Sequence, residues 1–551
     1  MTSQQQMNQP VIFLSEGSKR VQGRDALSIN IMIGKAVAEA VKTTLGPKGR
    51  DKMIVDELGD VTITNDGATI LSQMSIDHPI GKMMVEIAKT QDDQVGDGTT
   101  TVVVLAGGLL QKAEQLLSEG IHPTTIIKGY RDAAKKAKEL FTEVADKISP
   151  TDKALVKEIA KTSMTGKSSE MSEELSDLVL KAITEVTEKK DNVWVVDRDS
   201  IKVEKKAGGS LDDSRLVQGI VLDKERVHTG MPKEVKDARI ALLDVALEIK
   251  SPETDTKVQI SSPDQLQEFL DQEEKMLKNM VDTVKKAGAT VLICQKGIDD
   301  IAQHFLAKEG IFAVRRVKKS DLDKLAKATG GTIVSRINDL TKKDLGFATS
   351  VHEEKIGGEE MTFIEKCKNP KAVTILLRGG SEHVIDEAER SINDAIGSTT
   401  ASLEDGLIVS GGGSCEIEVA LKLRNYAQSV GGREQLAIEA FADVLEIIPK
   451  TLAESAGMDP IDALVDLRAK HKGKEGKYVG VDVYAGKTAN MKEKKVMEPL
   501  RIKLQAVTSA AEVTEMILRI DDIIAGVGKS AGPGMGPGGM PGGMGGEMGM
   551  D

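Results

Sequence analysis

Residues 91–110 read QDDQVGDGTTTVVVLAGGLL, with an aspartate between two glycines, three threonines after it and then an apolar run. Glycine lets backbone N–H groups approach a phosphate closely, and the N–H groups and positive dipole end of a following helix face the same point. A carboxylate in such a cradle would repel phosphate unless a divalent cation lay between them, and Mg²⁺ prefers one or two carboxylates together with phosphate oxygens. The stretch therefore predicts an anion cradle in which Asp97 binds magnesium.

An alternative interpretation is an Asp-Gly turn in which a threonine merely caps a helix. Other segments favour the cradle, because Gly46 and residues 411–413 offer more backbone for close approach and Asp66 lies in a turn that could bring a second carboxylate near. The Walker A motif is missing, since the GKS near the C-terminus has Ile523 where the first glycine should stand. A nucleotide site in this chain would be of a different kind.

Length and composition limit the class of protein. A chain of 551 residues is too long for one core, which stops growing near roughly 250–300 residues, so we expect three domains. Aromatic residues make up 2% and the formal net charge is −12, which argues against a nucleic-acid partner because single strands need aromatic platforms in a basic groove. No apolar run approaches the roughly 20 residues that span a bilayer and the polar start lacks a signal peptide, which predicts a cytoplasmic chain without a membrane partner.

The cysteines and histidines do not form a metal-binding pattern. Cys294, Cys367 and Cys415 are odd in number and widely spaced, which supports neither a disulfide framework nor a zinc site. The seven histidines are scattered without a ligand spacing, so each is better interpreted as a core or surface residue. Any metal in this protein should have oxygen ligands.

The pattern along the chain is helical at both ends. Apolar positions recur at helix spacing from about Asp25 to Lys42, and two short strands, KMIVDE and VTIT, follow. Helical patterns return around residues 70–90, from Thr99 to about Glu119 and through the charged residues 131–190, with one interruption at TSMTGKSS, where a loop is expected. The first third of the chain is therefore predicted to be mainly helical.

The middle of the chain is different. From about residue 218 to 370, strands such as ARIALLDV, TVLICQ, FAVRRV and TIVS alternate with short helices, which suggests an α/β domain. Helical texture then returns, which indicates one domain interrupted by another, with a hinge near residues 205–219 and 378–380. Residues 531–551 are almost entirely Gly, Met and Pro and are predicted to be disordered.

Residues 251–288 interrupt the α/β pattern with a polar loop and then a helix. Its apolar side chains fall on one side of that helix: Leu266, Phe269, Leu270, Leu277, Met280 and Val281. Either this helix packs on its own domain or its apolar stripe needs a partner surface. The residues alone leave both alternatives open.

Five segments, in this order and spacing, resemble the group II chaperonins, in particular their archaeal branch: TLGPKGRDKMIV, TITNDGATIL, QDDQVGDGTTTVVVLAG, GLIVSGGG and VMEPLRIK. The resemblance covers essentially the whole chain. It implies a multidomain α and α/β chaperonin fold, with a helical equatorial ATPase domain, a small intermediate domain and an α/β apical domain carrying a helical protrusion. The expected boundaries are 1–150 and 405–530 for the equatorial domain, 151–217 and 371–404 for the intermediate domain, and 218–370 for the apical domain, with the protrusion at about 251–288.

The resemblance also implies roles for individual residues. Asp97 matches the ligand of Mg²⁺, and Asp66 and Asp394 match the pair of acids that orient and activate the attacking water. Two loops match those that hold the phosphates of ATP: Leu45, Gly46 and Pro47, and then Gly98, Thr99, Thr100 and Thr101.

Further positions match the rest of the nucleotide site. Gly412 and Gly413 match backbone that lines the nucleotide, Glu498 matches the acid at the ribose, and Lys167 is similar to a lysine that senses the γ-phosphate. Near the base this chain has Asp482 where asparagine is more familiar, so the resemblance does not define the contact of that side chain.

The function implied by the resemblance is that of an ATP-dependent molecular chaperone. Its subunits, identical or paralogous, would form two stacked eight- or nine-membered rings that enclose non-native client proteins under a built-in lid. Two rival functions are a small-molecule kinase with the same phosphate cradle and a ring scaffold with a nucleotide that is not hydrolysed. Phosphate release from ATP without an acceptor, together with a particle of roughly one megadalton, would separate the three.

Overall fold

In a computed structural model, the structure describes residues 19–56, 59–165, 172–191, 193–249, 262–367, 372–473 and 475–525. Three parts of the predictions lie outside these residues. They are the tail at residues 531–551, most of the polar loop that opens the predicted insertion, and Lys167.

The first segment is mainly helical, as predicted. The helix expected from Asp25 to Lys42 is confirmed, and it buries Ile31, Val37 and Val41 on one face. The two short strands after it are also confirmed and pair with each other antiparallel. The elements are β1 (Lys19–Gln22), α1 (Gly23–Lys42), β2 (Lys52–Val55), β3 (Val61–Thr64), α2 (Gly67–Gln73), α3 (Pro79–Val95), α4 (Thr99–Ser118), α5 (Pro123–Val144) and β4 (Asp146–Lys147).

The second segment combines two helices with short strands. Its elements are α6 (Lys153–Met164), α7 (Ser172–Val186), β5 (Thr187–Lys190), β6 (Val193–Val196), β7 (Ile201–Ala207) and β8 (Arg215–Val217). The prediction of helix to residue 190 is wrong, because β5 pairs antiparallel with β6. The helix ends at Val186, where Thr187 opens a strand whose partner contains Trp194, and Asp191 takes a positive φ of 49° in the turn between them.

The third segment is an α/β unit. Its elements are β9 (Gly219–Leu222), β10 (Glu234–Leu243), α8 (Pro263–Ala287), β11 (Val291–Cys294), α9 (Asp300–Lys308), β12 (Phe312–Val314), α10 (Lys319–Thr329), β13 (Ile333–Val334), β14 (Gly346–Ile356) and β15 (Glu359–Cys367). They form one sheet in the order β12-β11-β10-β14-β15-β9, with β13 paired to β10. The strands predicted in β10 to β13 are confirmed. The β14–β15 hairpin was not predicted, although Gly357 and Gly358, both at positive φ, separate its two strands.

The last segment returns to helices. Its elements are β16 (Val373–Gly379), α11 (Glu382–Asp405), β17 (Leu407–Ser410), α12 (Ser414–Val430), α13 (Gly432–Leu445), α14 (Ile447–Ser455), α15 (Pro460–Lys470), β18 (Val479–Asp482), β19 (Lys487–Asn490), β20 (Met497–Pro499), α16 (Leu500–Leu518) and β21 (Asp522–Ala525). The outer strands β1 and β21 pair antiparallel, which joins the two ends of the described chain.

The buried side chains form separate cores that are nested along the chain: the outer parts of the sequence share one core, the parts inside them share a second, and the middle has its own. The largest core combines α1 to α5 with α12 to α16, from both ends of the sequence. A smaller core combines α6 and α7 with β16 and α11. Two further cores cover the opposite faces of the seven-stranded sheet.

Helix α11 connects two of these cores. It contributes Ile385 and Ile392 to the core of α6 and α7, whereas Ala401 near its C-terminal end packs in a small separate cluster with Val95 of α3 and Ile502 of α16, two helices that also contribute to the largest core. Residues on this helix are therefore carried to the end of α3, where the Gly-Asp-Gly loop begins. None of the helices within the described ranges is long and apolar enough to cross a membrane.

Candidate active site

A cavity of about 680 Å³ lies where the largest core meets α6 and α11. Lys167 lies outside the described residues, and every other predicted site residue lines this cavity. They are Leu45, Gly46, Pro47, Asp66, Asp97, Gly98, Thr99, Thr100, Thr101, Asp394, Gly412, Gly413, Asp482 and Glu498. Tertiary folding thus brings residues from seven separate stretches of the sequence to one place.

The Gly-Asp-Gly loop is the tight connection between α3 and α4. Gly96 ends α3 at a φ of 79°, and Gly98 begins α4 at a φ of 81° without a side-chain cap. The first hydrogen bond of α4 runs from the Val102 N–H to the Gly98 carbonyl, so the N–H groups of the three threonines have no acceptor within the helix. A Cβ atom at Gly98 would lie 2.7 Å from Cγ2 of Ile502, so glycine is needed here for both backbone angle and space.

A second helix begins at the same cavity. Gly412 and Gly413 have φ angles of 65° and 75°, and Gly413 is the uncapped residue before α12. A Cβ atom at Gly413 would lie 2.7 Å from the Cβ of Pro449. The cavity therefore receives the positive dipole ends and N–H groups of two helices, an arrangement suited to an anion.

The loop after α1 completes this side of the cavity. Gly46 has a φ of 82° between Leu45 and Pro47. The hydroxyl of Thr44, a residue not predicted from the sequence, lies 3.4 Å from that of Thr100. Hydroxyl groups of both loops thus face one another across the cradle.

Three carboxylates lie around the cradle. One oxygen of Asp97 accepts the Gly98 N–H at 2.6 Å, and the other accepts the hydroxyl of Ser398 on α11 at 3.4 Å. Asp66 caps α2 by accepting the Thr69 N–H at 2.8 Å. Its other oxygen accepts the Thr99 hydroxyl at 3.0 Å, so Asp66 is tied to the loop that carries Asp97.

The third carboxylate, Asp394, comes from α11 and is 9% exposed. Within the described ranges, no three His, Cys, Asp or Glu side chains are grouped so that they could hold a metal ion by themselves. A metal at this cavity would therefore need oxygen ligands from a bound molecule in addition to a carboxylate.

Asp482 is held by the turn that it begins. Its Oδ1 accepts the N–H groups of Tyr484 and Ala485 at 3.2 and 3.0 Å, and its Oδ2 lies 3.3 Å from the ammonium of Lys494. Burial alone would raise the pKa of Asp482, but these N–H groups and the lysine lower it below its ordinary value. The carboxylate therefore stays ionised and shapes the turn that lines the cavity.

Glu498 is also held by a neighbouring charge. It forms an ion pair with Lys503, whose side chain is 7% exposed and also lies 2.8 Å from Glu416. Neither Lys503 nor Glu416 was selected from the sequence. No local signal in the sequence distinguishes Lys503, because α16 also carries Arg501 in the same turn and Glu512 and Glu515 further along.

The chain matches the family model of the TCP-1/cpn60 chaperonin family over residues 37–527. It is 59% identical over 517 residues to a thermosome subunit of Methanopyrus kandleri, an alignment that covers 94% of each chain. It is also 59% identical over 528 residues to the thermosome subunit alpha of Archaeoglobus fulgidus, covering 95% of this chain and 96% of that protein.

A solved structure is similar as well. The open-state monomer of a group II chaperonin from Methanococcoides burtonii is 46% identical, with a TM-score of 0.59, and the match covers 77% of this chain and 100% of that one. The chain therefore belongs to the TCP-1/cpn60 chaperonin family. The family resemblance and the fold class predicted from the sequence are confirmed.

Proposed function

We propose that this member of the TCP-1/cpn60 chaperonin family, an ATP-dependent chaperonin and ATPase, binds ATP with Mg²⁺ in the cavity described above. One observation carries the proposal. The uncapped N-termini of α4 and α12 open onto the same cavity as the carboxylates of Asp66, Asp97 and Asp394.

The phosphates of ATP would bind at the two helix N-termini. The N–H groups at the start of α4 and α12, with the hydroxyls of Thr99 and Thr100, offer donors to several phosphate oxygens at once. The predicted loop of Leu45, Gly46 and Pro47 would close over them. Lys167 remains a predicted sensor of the γ-phosphate.

Asp97 would hold the magnesium ion. The donor set fits Mg²⁺, because a carboxylate already fixed by the Gly98 N–H and the Ser398 hydroxyl faces a cradle for phosphate, and Mg²⁺ prefers one or two carboxylates together with phosphate oxygens. The bound ion would supply charge neutralisation on the phosphates.

Asp66 and Asp394 would position the attacking water. Phosphoryl transfer needs mainly alignment and charge neutralisation, so carboxylates that orient a water and accept its proton suffice without a covalent intermediate. Asp66 reaches the cradle from α2 and Asp394 from α11, so the two acids come from different cores. A shift of α11 relative to the cradle would then change hydrolysis.

Glu498 would accept hydroxyl groups of the ribose, and Asp482 would shape the wall near the base. Since both oxygens of Asp482 are occupied by the turn and by Lys494, we infer that this side chain contributes position rather than a direct contact with the base.

The domain boundaries expected from the resemblance are carried forward as a proposal. The separation of the cores supports these boundaries. The largest core would be the equatorial domain, the core of α6, α7 and α11 the intermediate domain, and the seven-stranded sheet the apical domain. Helix α8 supports a lid role, because its first half leaves Leu266, Phe269 and Leu270 between 43% and 48% exposed while Leu277 and Val281 are buried.

Thermosome-like subunits act in oligomeric rings that receive client proteins, and for this chain we propose two stacked rings of eight or nine identical or paralogous subunits. Non-native proteins would be enclosed when the lid closes. We also propose that the chain works in the cytoplasm, where its three buried free thiols would stay reduced.

Purified protein without any phosphate acceptor tests the proposal. Incubation with ATP and Mg²⁺ should release phosphate, and the mass in solution should be roughly one megadalton, as expected of sixteen or eighteen chains of 59.1 kDa. Release that requires a small-molecule acceptor would identify a kinase instead, and binding without release would identify a scaffold. End-on single-particle images would count the subunits.

A further inference from the structure

Lys503 is a lysine buried between two glutamates at the wall of the cavity. Its ammonium lies 2.8 Å from Glu416 and forms a second ion pair with Glu498. The side chains of Lys503 and Glu416 are 7% and 3% exposed, whereas Glu498 is 22% exposed where it reaches the cavity. The buried lysine thus connects a fully enclosed acid to one that faces the ligand space.

Burying a charged lysine is energetically unfavourable unless it is paired. It lies in the first turn of α16, where the helix dipole repels a cation. Burial alone would lower the pKa of Lys503, but the charges of Glu416 and Glu498 outweigh it and raise the pKa well above its ordinary value. The lysine is therefore charged and depends on both acids.

Glu416 is fixed on its other side as well. It belongs to the first turn of α12, directly after the cradle glycines, and the thiol of Cys415 donates to its second oxygen at 3.1 Å. Burial alone would raise the pKa of Glu416, but Lys503 lowers it, so the glutamate is an anion. Glu416 thereby holds the ammonium of Lys503 in one place.

Glu498 is pressed against the backbone of the cradle. It pairs with Val409 across the β17–β20 ladder. A Cβ atom on Gly411 would lie 2.5 Å from its Oε1, so the carboxylate occupies the space that any other residue at 411 would fill. Lys503 on one side and Gly411 on the other therefore restrict the position of the Glu498 carboxylate at the cavity wall.

We propose that Lys503, held by Glu416, is a positioning residue that fixes the Glu498 carboxylate toward the sugar of the nucleotide and makes the site select ribose over 2′-deoxyribose. The inference rests on the proposed function, in which Glu498 accepts the ribose hydroxyls. An oriented carboxylate accepts two vicinal hydroxyls, and a deoxy sugar offers it one fewer. In the proposed function Glu498 contacts the sugar whereas Asp66 and Asp394 act on the attacking water, so removal of Lys503 acts on binding and not on the hydrolytic step.

Calorimetry on the intact, assembled protein with ATP and with 2′-deoxyATP tests this. We expect the parent to bind ATP roughly tenfold to hundredfold more tightly, as for a hydrogen bond to a charged group. Lys503→Met should bring the ratio of the two dissociation constants to within about threefold of unity and raise KM for ATP with little change in kcat. Lys503→Arg, which keeps the charge, should restore most of the ratio.

The controls separate positioning from mere stability. Lys422→Met removes a half-buried lysine on α12 that pairs with Glu143, and it should leave the ratio unchanged. If Lys503→Met lowers the thermal midpoint but keeps the parent ratio, or if the parent does not discriminate at all, the inference is wrong while the ATPase stands. If the parent binds no ATP, the proposed function itself fails.

If Lys503→Met does not fold, the variant Glu416→Gln tests the positioning role instead. It keeps the pair of Lys503 with Glu498 and removes only the carboxylate charge on the far side of the ammonium. A ratio lowered several-fold supports the inference. An unchanged ratio overturns it.

Discussion

Gly397 on α11 lies directly against Gly96 of the Gly-Asp-Gly loop: a Cβ atom on Gly397 would be 3.0 Å from the Cα of Gly96. Asp394 lies one turn before this contact, and Ser398, the next residue, donates its hydroxyl to Asp97. The two glycines therefore allow the helix that carries one acid to approach the loop that carries the other. This close approach sets the distance between the proposed water-positioning and metal-binding groups.

We predict that Gly397→Ala separates these two groups. The added methyl meets backbone atoms of the loop, which cannot rotate away, so the variant should lose about 1–3 kcal/mol of stability and most of its ATP hydrolysis. Gly380→Ala is the matched control, since a Cβ there meets nothing within 4 Å. Thermal midpoints and phosphate release of both variants check the prediction, and equal behaviour would contradict it.

Asp97→Ala and Asp394→Ala should fail in different ways. Without Asp97 the cation that screens the phosphates is lost, so ATP affinity and hydrolysis should fall together. Asp394→Ala keeps the cradle and Asp97, so it should bind ATP nearly as the parent does and lose hydrolysis by roughly 10²–10⁴-fold. Calorimetry and phosphate release on the same preparations measure the difference. If Asp394→Ala weakens binding as much as Asp97→Ala, the assigned roles are wrong.

Gly413→Ala should weaken nucleotide binding beyond the backbone cost of the substitution. Gly413 and Gly432 have similar φ angles of 75° and 67°, so alanine strains both, by roughly 1–2 kcal/mol. Only at Gly413 would the Cβ also collide with Pro449, whereas nothing lies within 4 Å at Gly432. Affinity for ATP should therefore drop in the first variant and stay unchanged in the second. The prediction does not survive if both lose affinity equally.

The exposed apolar half of α8 should matter for client enclosure and not for hydrolysis. Replacing Leu266, Phe269 and Leu270 together by serine removes side chains that are nearly half exposed and belong to none of the described cores, so the fold and the cavity should be unaffected. Protease protection of a bound client in the presence of ATP should be lost. As the control, phosphate release should equal that of the parent, and full protection by the variant would refute the lid role.

Glu446 should make the protein sensitive to acid. It is 1% exposed and forms ion pairs with Arg424 and Arg468. Burial alone would raise the pKa of Glu446, but the two arginines lower it below its ordinary value. A carboxyl with a lower pKa in the folded state stabilises the fold above its unfolded pKa, and that stabilisation is lost as the pH falls through the folded pKa.

Glu446→Gln should thus cost about 3–5 kcal/mol at neutral pH, since it leaves two partly buried arginines without their shared anion. It should also flatten the loss of stability in acid. Glu434→Gln on α13, the helix that ends just before Glu446, breaks a more exposed pair with Lys128 and should cost far less stability. Denaturation midpoints between pH 3 and 7 measure both effects, and an equal acid dependence of Glu446→Gln and the parent would count against the assignment.

The sequence was sufficient for features that depend on neighbouring residues. The Gly-Asp-Gly loop, the helix that follows it and the hairpin of β2 and β3 are local, because glycine angles, helix caps and strand alternation are set within a few residues. The motifs around Gly46, Asp97 and Gly412 could be recognised for the same reason. Their convergence on one cavity was inferred only from the resemblance to a family.

Tertiary structure decided what depends on distant partners. The charged stretch at β5 has helix-like composition, and its pairing with β6 was missed because a strand is stabilised by its neighbour and not by its own residues. The two ion pairs that join Glu416, Lys503 and Glu498 have no local signature in the sequence, since each residue alone is typical of a surface charge. Burial and a shared counter-charge, which exist only after packing, turn these three into one unit.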